Sequence, residues 1–176
     1  ARMVKPSAIT HGLPGSKFVD LMSQANQPIK VAHLITDLDT GGAEVMLARL
    51  LSRFDRHRFP SLVISLTDRG SLGDLIETAG FPVHTLGMRP GIPDPTGMAR
   101  LVGILRRERP VILQTWLYHA DLLGLLVGSV TRVPALAWNV RCSDMDMRRY
   151  ALLSRLILLA LARLSPLPDA VLVNSE

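Results

Sequence analysis

The sequence predicts an α/β domain built on a doubly wound parallel sheet, a Rossmann-like fold. From residue 29 onward, six short apolar segments alternate with five segments in which apolar residues recur at helical spacing. The six segments are continuous apolar runs, which is typical of parallel strands buried on both faces. With 176 residues, 48% hydrophobic and 20% charged, the chain has the length and the composition of one globular domain.

The predicted strands are rich in β-branched residues and are separated by Gly, Pro, Asn and Asp. They are 29–35, 61–66, 82–86, 111–115, 134–138 and 170–174. The predicted helices are 43–54, 71–79, 96–109, 120–131 and 148–164. Ser71 is expected to cap the second helix, and Gly80 to end it. Residues 1–28 precede the alternation as an N-terminal arm, so the domain is predicted to span 29–176.

The turn after the first strand is the first candidate site, because ligands of such folds bind beyond the carboxyl ends of the strands. It holds two adjacent glycines, Gly41 and Gly42. Glycine lets the backbone approach a ligand closely, and the free N–H groups of the following helix favour an anion. The spacing matches neither the dinucleotide fingerprint nor a P-loop, which disfavours a dinucleotide oxidoreductase. An ordinary tight turn fits the same residues.

Two later turns carry side chains suited to chemistry. His119 follows the fourth strand, and histidine exchanges protons near neutral pH and hydrogen-bonds sugar hydroxyls. A histidine that caps the helix is the alternative. Arg141 follows the fifth strand close to Asn139, and it can bind a phosphate or a carboxylate bidentately. An ion pair with Asp144 or Asp146 is its alternative.

Composition narrows the classes of partner. A net charge of +5 suits an anionic partner, although a merely basic surface explains it as well. Nucleic-acid recognition is disfavoured because only 5% of residues are aromatic and no base-stacking motif is present. No metal site is expected because the five histidines are scattered along the chain. The single Cys142, the lack of a signal-peptide run and the lack of a membrane-spanning run fit the cytoplasm.

The predicted helix 148–164 is strongly apolar and is flanked by arginines. It fits a core-packed helix whose arginines reach back to solvent. It also fits a surface that meets an anionic membrane or a second domain.

Two motifs resemble a known family. The run Gly41-Gly42-Ala43-Glu44, between a strand and an amphipathic helix, resembles the opening of the retaining GT-B glycosyltransferases called "glycosyl transferase, group 1" (GT4). Residues 115–124, TWLYHADLLG, are similar to that family's histidine-bearing turn, and residues 138–144 to its acceptor-side segment. The resemblance covers residues 29–176 and only the first of the family's two Rossmann-like domains.

The resemblance implies roles for the candidate residues. Gly41 and Gly42 would face the phosphates of a nucleotide sugar and the acceptor across an interdomain cleft. His119 would contact the transferred sugar near its reacting carbon, and Arg141 would lie near the acceptor. Further candidate sugar contacts are Asp39, Glu44 and Asn139. For Glu44 the residues favour a brace at the helix start, and for Asp39 a solvated turn.

The implied activity is transfer of a hexose-type sugar from a nucleotide-sugar donor to a lipid-linked or cell-envelope glycan acceptor, with retention and without a metal or cofactor. The donor-binding C-terminal domain would be absent, since the final residues LVNSE are typical of the family's interdomain border. The fragment alone is therefore expected to be inactive. Contact with the inner face of an anionic membrane is also anticipated. The alternative is a non-catalytic α/β binding module or membrane-surface module.

Overall fold

The computed structural model describes residues 27–89, 94–140 and 152–173. Within these ranges six strands form one sheet in which every neighbouring pair is parallel. The strands are β1 Val31–Ile35, β2 Ser61–Ser65, β3 Val83–Thr85, β4 Ile112–Trp116, β5 Ala135–Val140 and β6 Ala170–Val173. Their order across the sheet is β3-β2-β1-β4-β5-β6. The sheet is therefore wound in both directions from β1 and β4, as the sequence predicted.

In the described ranges, five helices connect the strands and cover both faces of the sheet. They are α1 Gly42–Leu51, α2 Gly73–Thr78, α3 Pro95–Glu108, α4 Tyr118–Thr131 and α5 Leu152–Leu164. One core cluster joins α1 and α2 to the sheet through Leu47, Ile76 and Val63. A second cluster joins α3 and α4 to the opposite face, where Leu101 and Leu125 are buried. The strands β1 and β2 are thus buried along their whole length, while the edge strands β3 and β6 are partly exposed, which is typical of a parallel sheet covered by helices.

The largest departure from the predicted elements concerns Ser71. The helix α2 begins at Gly73 after Leu72, and no side chain caps it, so the predicted Ser71 cap is wrong. The Ser71 hydroxyl lies instead 3.0 Å from the hydroxyl of Thr40. A contact between two loops has replaced the local cap. The predicted arm up to residue 26 and the predicted helix start at 148–151 lie outside the described residues.

The direction of winding reverses between β1 and β4. These strands are neighbours, and Ile35 at the end of β1 pairs with Trp116 at the end of β4. The helix that follows β1 packs on one face of the sheet, and the helix that follows β4 packs on the other. The two connections diverge at this point, and open α/β sheets bind ligands at such switch points. The space between the starts of α1 and α4 is called the crevice below.

Candidate functional site

The glycine turn forms one wall of the crevice. Gly41 is the residue before α1, in an extended conformation with φ −135° and ψ 176°, and no side chain caps the helix. Gly42 is the first helical residue and is exposed. A Cβ atom added at Gly42 would meet no heavy atom within 4 Å. The first residue of α1 therefore faces open space, and the N–H group of Gly42 is available to an anionic or hydroxyl-bearing ligand.

Glu44 lies beneath this turn, with only 6% of its surface exposed. A side chain at Gly41 would collide with the Glu44 carboxylate. Burial raises the pKa of Glu44, hydrogen bonds from the backbone N–H groups of Glu44 and Ala43 lower it, and the charge of Asp37 raises it further. The carboxylate thus braces the start of α1, the role that the residues favoured. A direct contact between Glu44 and sugar stays a prediction.

The loop between β2 and α2 packs against the backbone of the glycine turn. Leu72 donates its backbone N–H to the carbonyl of Leu38 at 3.0 Å. Gly70 adopts a left-handed φ of +52°, and a Cβ atom there would overlap the Leu38 carbonyl and lie 2.6 Å from the backbone nitrogen of Asp39. Asp39 itself is exposed, and its N–H donates to the Asp37 carboxylate at 3.2 Å. The close backbone packing at Gly70 therefore fixes the position of the turn.

The histidine turn forms the opposite wall. Leu117 has φ 72° and ψ 149°, a conformation that only glycine adopts readily. This turn places Tyr118 and His119 in the first turn of α4, with their ring centroids 4.1 Å apart. Burial lowers the pKa of His119, so the half-buried imidazole is neutral at neutral pH. A neutral ring can both donate and accept hydrogen bonds, as sugar hydroxyls require.

Asp121 is a buried acid in the same helical turn, and sequence reasoning gave it no role. It is 3% exposed, and its carboxyl accepts a hydrogen bond from the Thr115 hydroxyl at 2.5 Å. Burial raises the pKa of Asp121 to about 7, while the Thr115 hydrogen bond lowers it. The bond ties the start of α4 to the end of β4. An acid in the first turn of a helix is common, so the sequence carried no signal of this burial.

Several buried polar atoms lie near the carboxyl ends of the strands without a hydrogen-bond partner among the described residues. They include Thr36 Oγ1, Ser65 Oγ and Asn139 Oδ1. Buried polar groups are normally satisfied, so these atoms are places where a buried water molecule would complete the hydrogen bonding. Asn139 was a predicted contact, and its register places it beside Trp116 at the end of β4. Thr36 and Ser65 were missed because isolated hydroxyl residues at strand ends are unremarkable in sequence.

The structure thus brings the two predicted turns to one edge of the sheet. Gly41 and Gly42 lie after β1, His119 lies after its neighbour β4, and Asn139 lies on the next strand. Arg141 lies outside the described residues. Within the described ranges, no group of three or more His, Cys, Asp or Glu side chains is placed to hold a metal ion.

Comparison with known proteins gives structural neighbours only. No protein-family model and no curated protein matches the chain. The crystal structure of Anabaena Alr3699/HepE in complex with UDP superposes with a TM-score of 0.60 and 18% identity, over 76% of this chain and 35% of that one. The complex with UDP and glucose gives a TM-score of 0.58 and 19% identity, over 77% of this chain and 36% of that one.

This chain therefore spans about a third of the length of the HepE chains. No helix in the described residues could cross a bilayer. The likeness concerns the fold: a Rossmann-like α/β domain with an all-parallel sheet, equivalent to one half of a GT-B structure.

Proposed function

We propose that this domain is the acceptor-side half of a glycosyltransferase that moves a sugar from a nucleotide-sugar donor to an acceptor. The observation that carries the proposal is the pair of turns at the switch point, where the start of α1 and the histidine-bearing start of α4 follow adjacent parallel strands at one edge of the sheet. The HepE structures, which hold UDP and glucose on a similar fold, support it.

The charges of the crevice favour the acceptor side of the reaction. The described ionisable side chains that the two turns leave at least partly exposed are Asp37, Asp39, Tyr118 and the neutral His119, whereas Glu44 and Asp121 are buried and burial raises the pKa of each. Carboxylates accept hydrogen bonds from hydroxyl groups but repel phosphates. The backbone N–H of Gly42 is the group on this wall that is suited to a phosphate. The wall is therefore better matched to a polyhydroxyl acceptor and the transferred sugar than to a whole diphosphate.

Retention of configuration and a separate donor-binding domain are part of the same proposal. The donor-binding domain would supply the cations that stabilise the leaving diphosphate, so the reaction would need no metal ion or cofactor. The acceptor-side domain alone would not catalyse sugar transfer. His119 would hydrogen-bond the transferred sugar, and Arg141 would contact the acceptor, a lipid-linked or cell-envelope glycan at the inner face of the membrane. Holding donor and acceptor together across the cleft would provide much of the rate enhancement.

The Gly42→Val substitution tests the glycine wall in the full-length protein. The added side chain would enter the open space above α1, so we expect kcat/KM for sugar transfer to fall at least about 30-fold, with the fold intact. The matched control is Gly103→Val, because a Cβ at Gly103 also meets nothing within 4 Å but lies in the middle of α3. That control should retain activity within about twofold.

The His119→Ala substitution tests the opposite wall. Loss of a hydrogen bond formed to the sugar in the transition state is expected to lower kcat about 100-fold with a small change in KM. Steady-state kinetics with the full-length protein measures both constants. Unchanged turnover in both His119→Ala and Gly42→Val would refute the site. Binding of anionic vesicles without binding of sugar or nucleotide would favour the non-catalytic module instead.

A further inference from the structure

A cavity of about 530 Å³ lies at the amino edge of the sheet, opposite the crevice. It is formed by the connection from α3 to β4 and by the connection from α4 to β5. Three arginines line it: Arg106, Arg109 and Arg132. None of its lining residues in the described ranges is acidic. Three guanidinium groups around one open cavity form a strongly positive site.

The three guanidinium groups have no ion-pair partner in the part of the chain that the structure describes. Their neighbours differ in this respect. Arg107 lies 2.9 Å from the Glu108 carboxylate, and Lys30 lies 2.7 Å from its other oxygen. The single acid at this helix end is thus shared between two cations outside the cavity, and the cavity's own charges stay uncompensated.

The backbone at two of these arginines is left-handed. Arg109 has φ 47° and ψ 56°, and Arg132 has φ 56° and ψ 42°, each at the end of a helix. Glycine is the residue favoured at such positions, and this chain has one after α2, where Gly80 has φ 89°. At the cavity both left-handed positions are arginine instead, and the left-handed backbone of each arginine destabilises the folded state.

Stabilisation of the helix end does not account for this choice at Arg109, whereas α4 has no basic residue in its last turn, so Arg132 also stabilises the end of α4. A cation near the last carbonyl groups of a helix is favourable, but Arg106 and Arg107 already supply it to α3 from ordinary helical positions. Backbone strain retained where a less strained residue would serve is characteristic of binding sites. Arg109, with the unpaired Arg106 and Arg132 on the same cavity, therefore points to a ligand.

We propose that this cavity is a second binding site, for a phosphate group held by Arg106, Arg109 and Arg132. Guanidinium groups bind phosphate oxygens bidentately, and three of them match the charge of a phosphate monoester or a diphosphate. The phosphate belongs either to a soluble metabolite or to the headgroup of an anionic lipid. The site is separated from the crevice by the length of the strands, and it does not rest on the proposed glycosyltransferase activity.

The test is a calorimetric titration of the full-length protein with sodium pyrophosphate at low ionic strength. We expect a saturable binding event that weakens at least about tenfold in the double variant Arg109→Gly/Arg132→Gly and in the single variant Arg106→Ala. An event that these variants leave unchanged belongs to the proposed donor-binding domain and does not count as binding at the cavity. Arg107→Ala is the matched control and should bind as the wild type does. Gly42→Val should also retain binding, which separates this site from the start of α1.

The same variants separate the two sources of the phosphate. Phosphatidylglycerol vesicles, compared with phosphatidylcholine vesicles in a sedimentation assay, report binding of a lipid headgroup, and pyrophosphate reports a soluble ligand. The Gly double variant should melt at the wild-type temperature or up to about 4 °C higher, because the left-handed strain is relieved. The proposal is overturned if neither probe binds, if the double variant binds as tightly as wild type, or if it melts well below wild type.

Discussion

Gly70→Ala is expected to lower the free energy of unfolding by about 3 kcal/mol or more, and the thermal midpoint by at least about 6 °C. Gly70 has a φ of +52°, where a Cβ atom is strained even in free space. Here the added atom would also overlap the backbone carbonyl of Leu38 and approach the Asp39 nitrogen to 2.6 Å. Backbone atoms cannot rotate aside, so the turn that carries Gly41 and Gly42 would have to move.

The control for this prediction is Gly103→Ala. A Cβ at Gly103 meets nothing within 4 Å in the interior of α3, so alanine is expected to stabilise the protein by about 0.5–1 kcal/mol. Thermal unfolding of the two variants beside the wild type is the measurement. An unchanged midpoint in Gly70→Ala would show that the loop after β2 does not hold the glycine turn in the way described above.

Replacing either of two buried titratable groups is expected to change how stability depends on pH, in opposite directions. Burial lowers the pKa of His33 to about 4 and raises the pKa of Asp121 to about 7. The contribution of His33 is fully present above its ordinary pKa of 6.5 and is lost as the pH falls toward 4. The contribution of Asp121 is present below its ordinary pKa of 3.8 and is lost as the pH rises through 7.

The contributions of His33 and Asp121 to the free energy of unfolding change in opposite directions between about pH 4 and pH 6.5. Each contribution is roughly 3–4 kcal/mol when it is fully present. In Asp121→Asn the amide oxygen can still accept the Thr115 hydrogen bond, so only the titration is removed. Relative to wild type, this variant should lose about 3 kcal/mol more stability when the pH is lowered from 7 to 4.5. His33→Gln should show the reverse, a relative gain as the pH is lowered.

Urea unfolding of both variants and the wild type at pH 7 and pH 4.5 measures these differences. Exposed carboxylates titrate equally in all three proteins and cancel in the comparison. Parallel pH profiles for the three proteins would contradict the buried, uncharged state assigned to His33 and Asp121.

The strands and the switch point were predictable because both depend on local sequence. A continuous apolar run identifies a buried parallel strand, and alternation with helices determines the winding. The contacts that shape the site depend on residues far apart in sequence. The sequence showed that Gly70 lies in a turn, but its packing against Leu38 becomes visible only when the loops after β1 and β2 are neighbours.

Ser71 and Asp121 show the same limit in side chains. Serine ahead of a helix is a reasonable cap, yet its partner is Thr40 in another loop, 31 residues away. Asp121 resembles an ordinary first-turn acid, and its burial follows from close packing of α4 on β4, where a Cβ at Gly124 would overlap the Thr115 side chain. The left-handed conformations of Arg109 and Arg132 had no sequence signal, because glycine normally occupies such positions.

The claim that the crevice between β1 and β4 is the binding site is tested most directly by an amide NMR titration of the full-length protein with UDP-glucose. We predict that the largest shift changes in this domain occur at Gly41, Gly42 and His119, on the two walls of the crevice. Changes confined to the amino edge of the sheet, near Gly80 and Arg132, with the Gly41 and Gly42 amides unmoved, would contradict the account.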